Sequence, residues 1–131
     1  MVYLICKPPR LYNIFVYKFI MTISQRIVEE ILSWPGVTSG PHRFGGIEFR
    51  IGGREMGHLH GDTLADIPFP MEFRNKIVNS GRASPHHILP QSGWISKWID
   101  GAEDVQQVIE LFRMQYERLI PPVQQSPGTK K

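Results

Sequence analysis

The sequence predicts an α+β fold: an antiparallel sheet of about four strands, drawn from two hairpins, with three helices mainly on one face, in the order α-ββ-α-ββ-α. Three observations predict it. A stretch of alternating apolar and polar residues turns back on itself at Gly52-Gly53, apolar stripes at helical spacing lie on either side of it, and 131 residues without an internal repeat suit a single domain.

The first helix is expected over residues 23–33. Thr22 and Gln25 match a capping box, Ile27, Val28, Ile31 and Leu32 form one apolar stripe, and Pro35-Gly36 ends it. A polar loop should follow to Arg43. Residues 46–51 then alternate, with Ile47, Phe49 and Ile51 against Glu48 and Arg50, and residues 54–60 return after the two-glycine turn. A register with Arg50 opposite Glu55 and Phe49 opposite Met56 pairs opposite charges on one face and apolar groups on the other. That register puts Arg54, Met56, His58 and His60 on the face of Phe49, toward the core or one end of a pocket, with Gly45 opposite His60. Residues 61–69 read as a loop. Pro70, at the first helical position, opens a second helix with Phe73, Ile77 and Val78 inward and Gly81 as its C-terminal cap. A second hairpin is expected between residues 86–89 and 94–99, pairing His87 with Ser96. Asp104, with Gln107, should cap a last helix that buries Val105, Val108, Ile109, Phe112, Tyr116 and Leu119 before Pro121-Pro122 stops it.

Apolar residues make up 41% and charged residues 21%, the composition of a folded chain. One cysteine, Cys6, excludes a disulfide framework within the chain and a multi-cysteine zinc site, and suits a reducing compartment, so a cytoplasmic location is expected. No apolar run nears the ~18 residues of a membrane-spanning helix. The net charge of +3 resides in residues 1–20, which hold Lys7, Arg10 and Lys18 and no acid. The remaining body is neutral, which argues against nucleic acid as a partner and leaves a protein partner open. Residues 1–20 lack the basic start and cleavage site of a signal peptide and read as a leader, either a mis-assigned start with Met21 as the true one or a disordered segment. The domain is expected over residues 21–120, followed by a disordered tail over 121–131. Phosphate-loop, dinucleotide-binding and zinc-protease motifs are absent from the sequence.

The chemistry-bearing residues gather on the hairpin and after it. His58 and His60 stand two apart on one strand, about 6–7 Å between backbones, so both imidazoles can reach one ligand or one metal. Asp62 lies just beyond, and His86-His87 offers a third group. A metal there, if any, is held by His58 and His60 at a nitrogen/oxygen site of zinc, iron, manganese or copper type. The sequence itself requires no cofactor. The plain alternative is a histidine pair hydrogen-bonded within the fold. Arg54 can anchor a carboxylate or phosphate through its planar fork, or pair with Glu48, Glu55 or Asp66. Arg82 can do the same, or complement the end of the preceding helix. Trp94 and Trp98 can wall an aromatic pocket or pack the core. Asp62 and Asp66 can form an acid/base pair or cap loops.

The runs Gly53-Arg54-Glu55-Met56-Gly57-His58-Leu59-His60-Gly61-Asp62, Leu64-Ala65-Asp66-Ile67-Pro68-Phe69-Pro70, Gly81-Arg82-Ala83 and Pro85-His86-His87-Ile88-Leu89-Pro90-Gln91-Ser92-Gly93-Trp94 resemble the small bacterial luciferase-domain proteins, as does the last helix with Leu111-Phe112-Arg113 and Tyr116. The resemblance covers residues 23–119. It implies kinship with fungal luciferase, which oxidises a hydroxylated pyrone with molecular oxygen, and it places the family's polar motif on His58, His60, Asp62, Arg82, His86 and His87. Gln91 departs from the aspartate of relatives.

Two functions follow as expectations. The first is a small-molecule-binding or oxygenase-like domain: His58, His60 and Asp62 as candidate catalytic groups, and Arg54, Arg82, His86, His87 and Trp94 as ligand-binding ones. The second is a non-catalytic interaction module of double-wing type, taking protein or nucleic acid.

Overall fold

The computed structural model describes residues 20–120; the expected leader, but for Ile20, and the expected tail lie outside the described residues. Helix α1 spans Ile23–Leu32 and opens on the expected capping box: the Gln25 amide donates to Thr22 Oγ1 at 3.1 Å and the Thr22 amide to Gln25 Oε1 at 2.8 Å. Strands β1 (Val37–Pro41), β2 (Ile47–Ile51), β3 (Arg54–His60) and β4 (Leu64–Pro68) follow, then α2 (Met71–Asn79), a short β5 (Ser84–Pro85), β6 (Trp94–Trp98), a turn of 3₁₀ helix at Ala102–Asp104 and α3 (Val105–Leu119). The six strands form one sheet in the order β1-β2-β3-β4-β6-β5, antiparallel throughout. Ile27 and Ile31 of α1, Ile77 of α2 and Val108, Leu111 and Phe112 of α3 meet Phe49, Met56, Ile67 and Ile95 of the sheet in a single core. The Phe49 and Phe112 rings lie 5.3 Å apart, edge to face.

Among the described residues the α+β class and three helices agree with expectation; the sheet has six strands where about four were expected. Val37–Pro41 pairs with β2 where a polar loop was expected. It is an edge strand with Gly40 and Pro41 in it, a composition that only an edge tolerates. Leu64–Pro68 is a strand where a loop was expected, and four of its five residues are buried, so no alternation marks it.

The β2–β3 hairpin turns at Gly52 and Gly53, both at positive φ, and begins in the expected register, Ile51 opposite Arg54 and Arg50 opposite Glu55. A bulge then intervenes, and Phe49 pairs with Gly57, Glu48 with His58 and Ile47 with Leu59. The expected Phe49–Met56 pair is therefore corrected, and so is the face of the histidines. One extra residue in β3 sends His58 and His60 to the face away from the helices, opposite to expectation. Gly57 makes the bulge: its φ is +146°, and a Cβ there would lie 2.8 Å from both the Asp66 carbonyl oxygen and Phe112 Cε1. Gly57→Ala is expected to destabilise by roughly 2 kcal/mol through strain and overpacking, measured by urea unfolding, and to disturb His58 and His60, one and three positions on.

Three further expectations are corrected. The second hairpin is not formed by residues 86–89, because His86 Nδ1 accepts the amides of Ile88 (3.2 Å) and Leu89 (3.0 Å) and curls that segment into a loop. Ser96 pairs instead with Ser84. Pro70 is the residue before α2 rather than its first. Asp104 occupies the N-cap position of α3 as expected but makes no side-chain capping bond; its carboxylate accepts the Asp100 amide at 2.8 Å, and the 3₁₀ turn leads into the helix.

Candidate histidine–carboxylate site

The strand registers line up one row of residues across all six strands: Gly40, Glu48, His58, Asp66, Ser96 and Ser84. Alternation turns this row to the face away from the helices. His60, two residues beyond His58, stands beside it. The loop after β1 adds His42, and the loop after β5 adds His86 and His87. All five histidines of the chain thus meet on one face.

Asp66 is their hub. It is fully buried. Its Oδ2 receives His60 Nε2 at 3.0 Å and lies 3.4 Å from His86 Nε2 and 3.5 Å from His58 Nε2. Its Oδ1 accepts the Ser96 hydroxyl at 2.7 Å, with His87 Nδ1 at 3.5 Å. His58 is held from behind as well, its Nδ1 donating to Glu55 Oε2 at 2.6 Å. The His42 ring stacks on His58 with centroids 3.8 Å apart.

These bonds set protonation. Burial opposes charge on His58, but the carboxylates of Asp66 and Glu55 outweigh it and raise its pKa to about 9. Burial likewise opposes charge on Asp66, and His58, Ser96 and the charges of His86 and His87 outweigh it, lowering its pKa to about 2. Burial lowers the pKa of His86. Its Nδ1 accepts two amides, so its Nε2 carries the proton and donates to Asp66. Ser96 Oγ donates to Asp66 and accepts the His87 amide at 3.1 Å, so His87 Nδ1, 3.0 Å away, is the donor to it and the neutral ring keeps its lone pair on Nε2.

The cluster floors a pocket of about 710 Å³. Phe44, Ile88, Leu89 and Trp94 supply its apolar walls, and Arg43 and Arg50 line it. Phe44, Ile88 and Leu89 are 74%, 69% and 54% exposed, so three of the exposed large apolar groups among the described residues ring this opening.

Of the residues singled out in the sequence, His58, His60, His86, His87 and Trp94 come together here. Asp62, Arg54 and Arg82 do not. Asp62 accepts the Ser24 amide at 2.7 Å in the first turn of α1. Arg54 is exposed at the hairpin turn, and Arg82 reaches Met114 and Glu110 of α3. Trp98 is half-exposed beside His87. Sequence reasoning missed the hub role of Asp66, the second carboxylate Glu55, and His42 and Ser96. One signal pointed to Asp66: it is the sole ionisable residue in the apolar run of β4.

The luciferase-domain family model matches residues 53–115. No match was found among curated proteins or among solved structures. The family match runs from the β2–β3 turn into α3 and carries Asp66, Ser96 and four of the five histidines; over this span the chain is similar to the luciferase-domain family.

Proposed function

We propose that this domain binds a small aromatic or enolic molecule in the pocket and acts on it by proton transfer, the opening step of an oxygenase-like reaction. The observation that carries this reading is a buried carboxylate with five histidines flooring an apolar-walled opening. His60 and His87 are the candidate bases, their side chains 30% and 28% exposed while their partners are buried. Each is backed by Asp66, His60 directly and His87 through Ser96, and the carboxylate stabilises the imidazolium that forms. His58, cationic in the metal-free protein, offers fixed positive charge to an oxyanion made by deprotonation. Arg43 and Arg50 take the anion-holding part expected of Arg54 and Arg82. Trp94, Phe44 and Leu89 suit a flat ring, with two or three polar contacts to orient it.

Titrating hydroxylated pyrones and phenols against the chelator-treated protein, followed by tryptophan fluorescence, tests this reading. Saturable quenching is expected, weakened at least tenfold in both Trp94→Leu and His60→Ala, with circular dichroism verifying that each variant stays folded. Binding that neither substitution affects, or none across the panel, sinks it and favours the interaction-module reading.

A further inference from the structure

We infer that His58 Nε2, His60 Nε2 and Asp66 Oδ2 form a site for one divalent transition-metal ion. This rests on the reading of the histidine face as the functional site, and names an ion that the reading itself does not require.

The distances carry it. Metal–nitrogen and metal–oxygen bonds of about 2.0–2.2 Å put neighbouring ligand atoms about 3.0–3.5 Å apart at the angles between octahedral and tetrahedral. Here the separations from Asp66 Oδ2 are 3.0 Å to His60 Nε2 and 3.5 Å to His58 Nε2, and one ligand atom from each of the three residues lies within 4.8 Å of the other two. An ion seats among them with little movement.

The hydrogen bonds around these atoms say which groups ligate. His58 donates Nδ1–H to Glu55, which directs its Nε2 at Asp66 Oδ2. In the neutral ring that is a lone pair facing a carboxylate oxygen, and a cation must sit between them: a proton in the metal-free protein, or a metal. A carboxylate behind the remote nitrogen is what holds a ligating histidine in the correct tautomer. His86 shows the reverse. Its Nδ1 accepts two backbone amides, so its Nε2 bears a proton and cannot ligate without losing them. His86 is therefore a donor to the carboxylate and not a member of the metal set, although its Nε2 is as near as that of His58. The site thus presents two imidazoles and one carboxylate from neighbouring strands, and His60, which is part-exposed, turns it toward the pocket. Two histidines and one carboxylate with open positions suit iron(II), manganese(II), cobalt(II) or zinc.

Titration of the chelator-stripped protein with cobalt(II) alone, followed by absorption in the visible and competed with zinc, tests this. One equivalent should bind, with visible bands that zinc abolishes. His60→Ala should weaken cobalt binding at least 100-fold and Glu55→Gln about tenfold, while His42→Ala and His87→Ala leave it within threefold; circular dichroism of each variant verifies the fold. No binding at one equivalent overturns the inference. So does binding lost in His87→Ala but kept in His60→Ala, which would place the ion on the other side of Asp66. Ring-compound binding in chelator separates the two readings: if it persists where cobalt fails, the pocket stands and the metal site falls.

Discussion

Replacing Asp66 by alanine is expected to destabilise the domain by about 3–5 kcal/mol, the cost of removing one partner from a buried charge cluster. For a domain of roughly 100 residues this lowers the melting temperature by at least ~12 °C. The size follows from what the carboxylate holds. His58, His60 and His86 converge on Oδ2 and Ser96 on Oδ1, in a position with no access to water. Without the carboxylate, three ring N–H groups and a hydroxyl lose their acceptor at once, and a buried imidazolium loses one of its two counter-charges. Asp66→Asn retains the volume but sets an amide NH₂ or a neutral oxygen against those donors, so it should recover less than half of the loss. Ser96→Ala, which removes one of four contacts, should cost about 1–2 kcal/mol. Urea unfolding of the three variants at pH 6.5 measures the series. A loss below ~1 kcal/mol for Asp66→Ala would mean that the histidines find other partners and that Asp66 is not the hub.

The same residues show how far the sequence could be read. The helices were legible because each writes its own signal: the Thr22–Gln25 capping box, the stripe that ends in Ile31, the stripe through Phe112. The Gly52-Gly53 turn was legible because two positive-φ residues between alternating strands have few other uses. The face of the histidines was not. It depends on whether β3 carries an extra residue, and alternation reads the same until Gly57 breaks it; the glycine inside the strand was the mark of the bulge, and only the approach of Asp66 and Phe112 shows why it must be glycine. β4 was invisible because a central strand buried on both sides has no alternation. Asp66 went with it: its neighbours in sequence are apolar, and its partners come from the adjacent strand, from β6 and from a distant loop. His86 and His87 were expected on one strand of a second hairpin; the loop that His86 itself stabilises brings both to one carboxylate. Long-range register decides such a site, and local pattern records only its members.

The charge state of His58 gives stability a pH profile of unusual shape. In the presence of chelator, stability should peak near pH 6.5 and fall on the alkaline side, where most domains lose little. The pKa of His58 rises from 6.5 in the unfolded chain to about 9 when folded, so its contribution is complete below pH 6.5 and lost as pH rises through 9. Asp66 falls from 3.8 to about 2, so its contribution holds above pH 3.8 and disappears as pH drops through 2. His86 and His42, both lowered by burial, act in the remaining window: unfolding lets them take up protons, so stability declines as pH falls below 6.5. The groups facing His58 are Glu48 across the strand pair, Glu55 behind it, Asp66 beside it, and the rings of His42, His60 and Trp94. The two acids nearest it, Glu55 and Asp66, are what hold its proton, so the alkaline limb belongs to His58. A shift of this extent corresponds to about 2–3 kcal/mol between pH 6.5 and 9.5, roughly 1.5–2 M in the urea midpoint for a domain of this size. His58→Gln keeps a polar group in place without the titration; it should be less stable than the parent at pH 6.5 and equal to it near pH 9.5, with no alkaline limb. A parent midpoint that stays flat from pH 6.5 to 9.5, or a His58→Gln protein that keeps the limb, would show that the proton between His58 and Asp66 does not hold this face together.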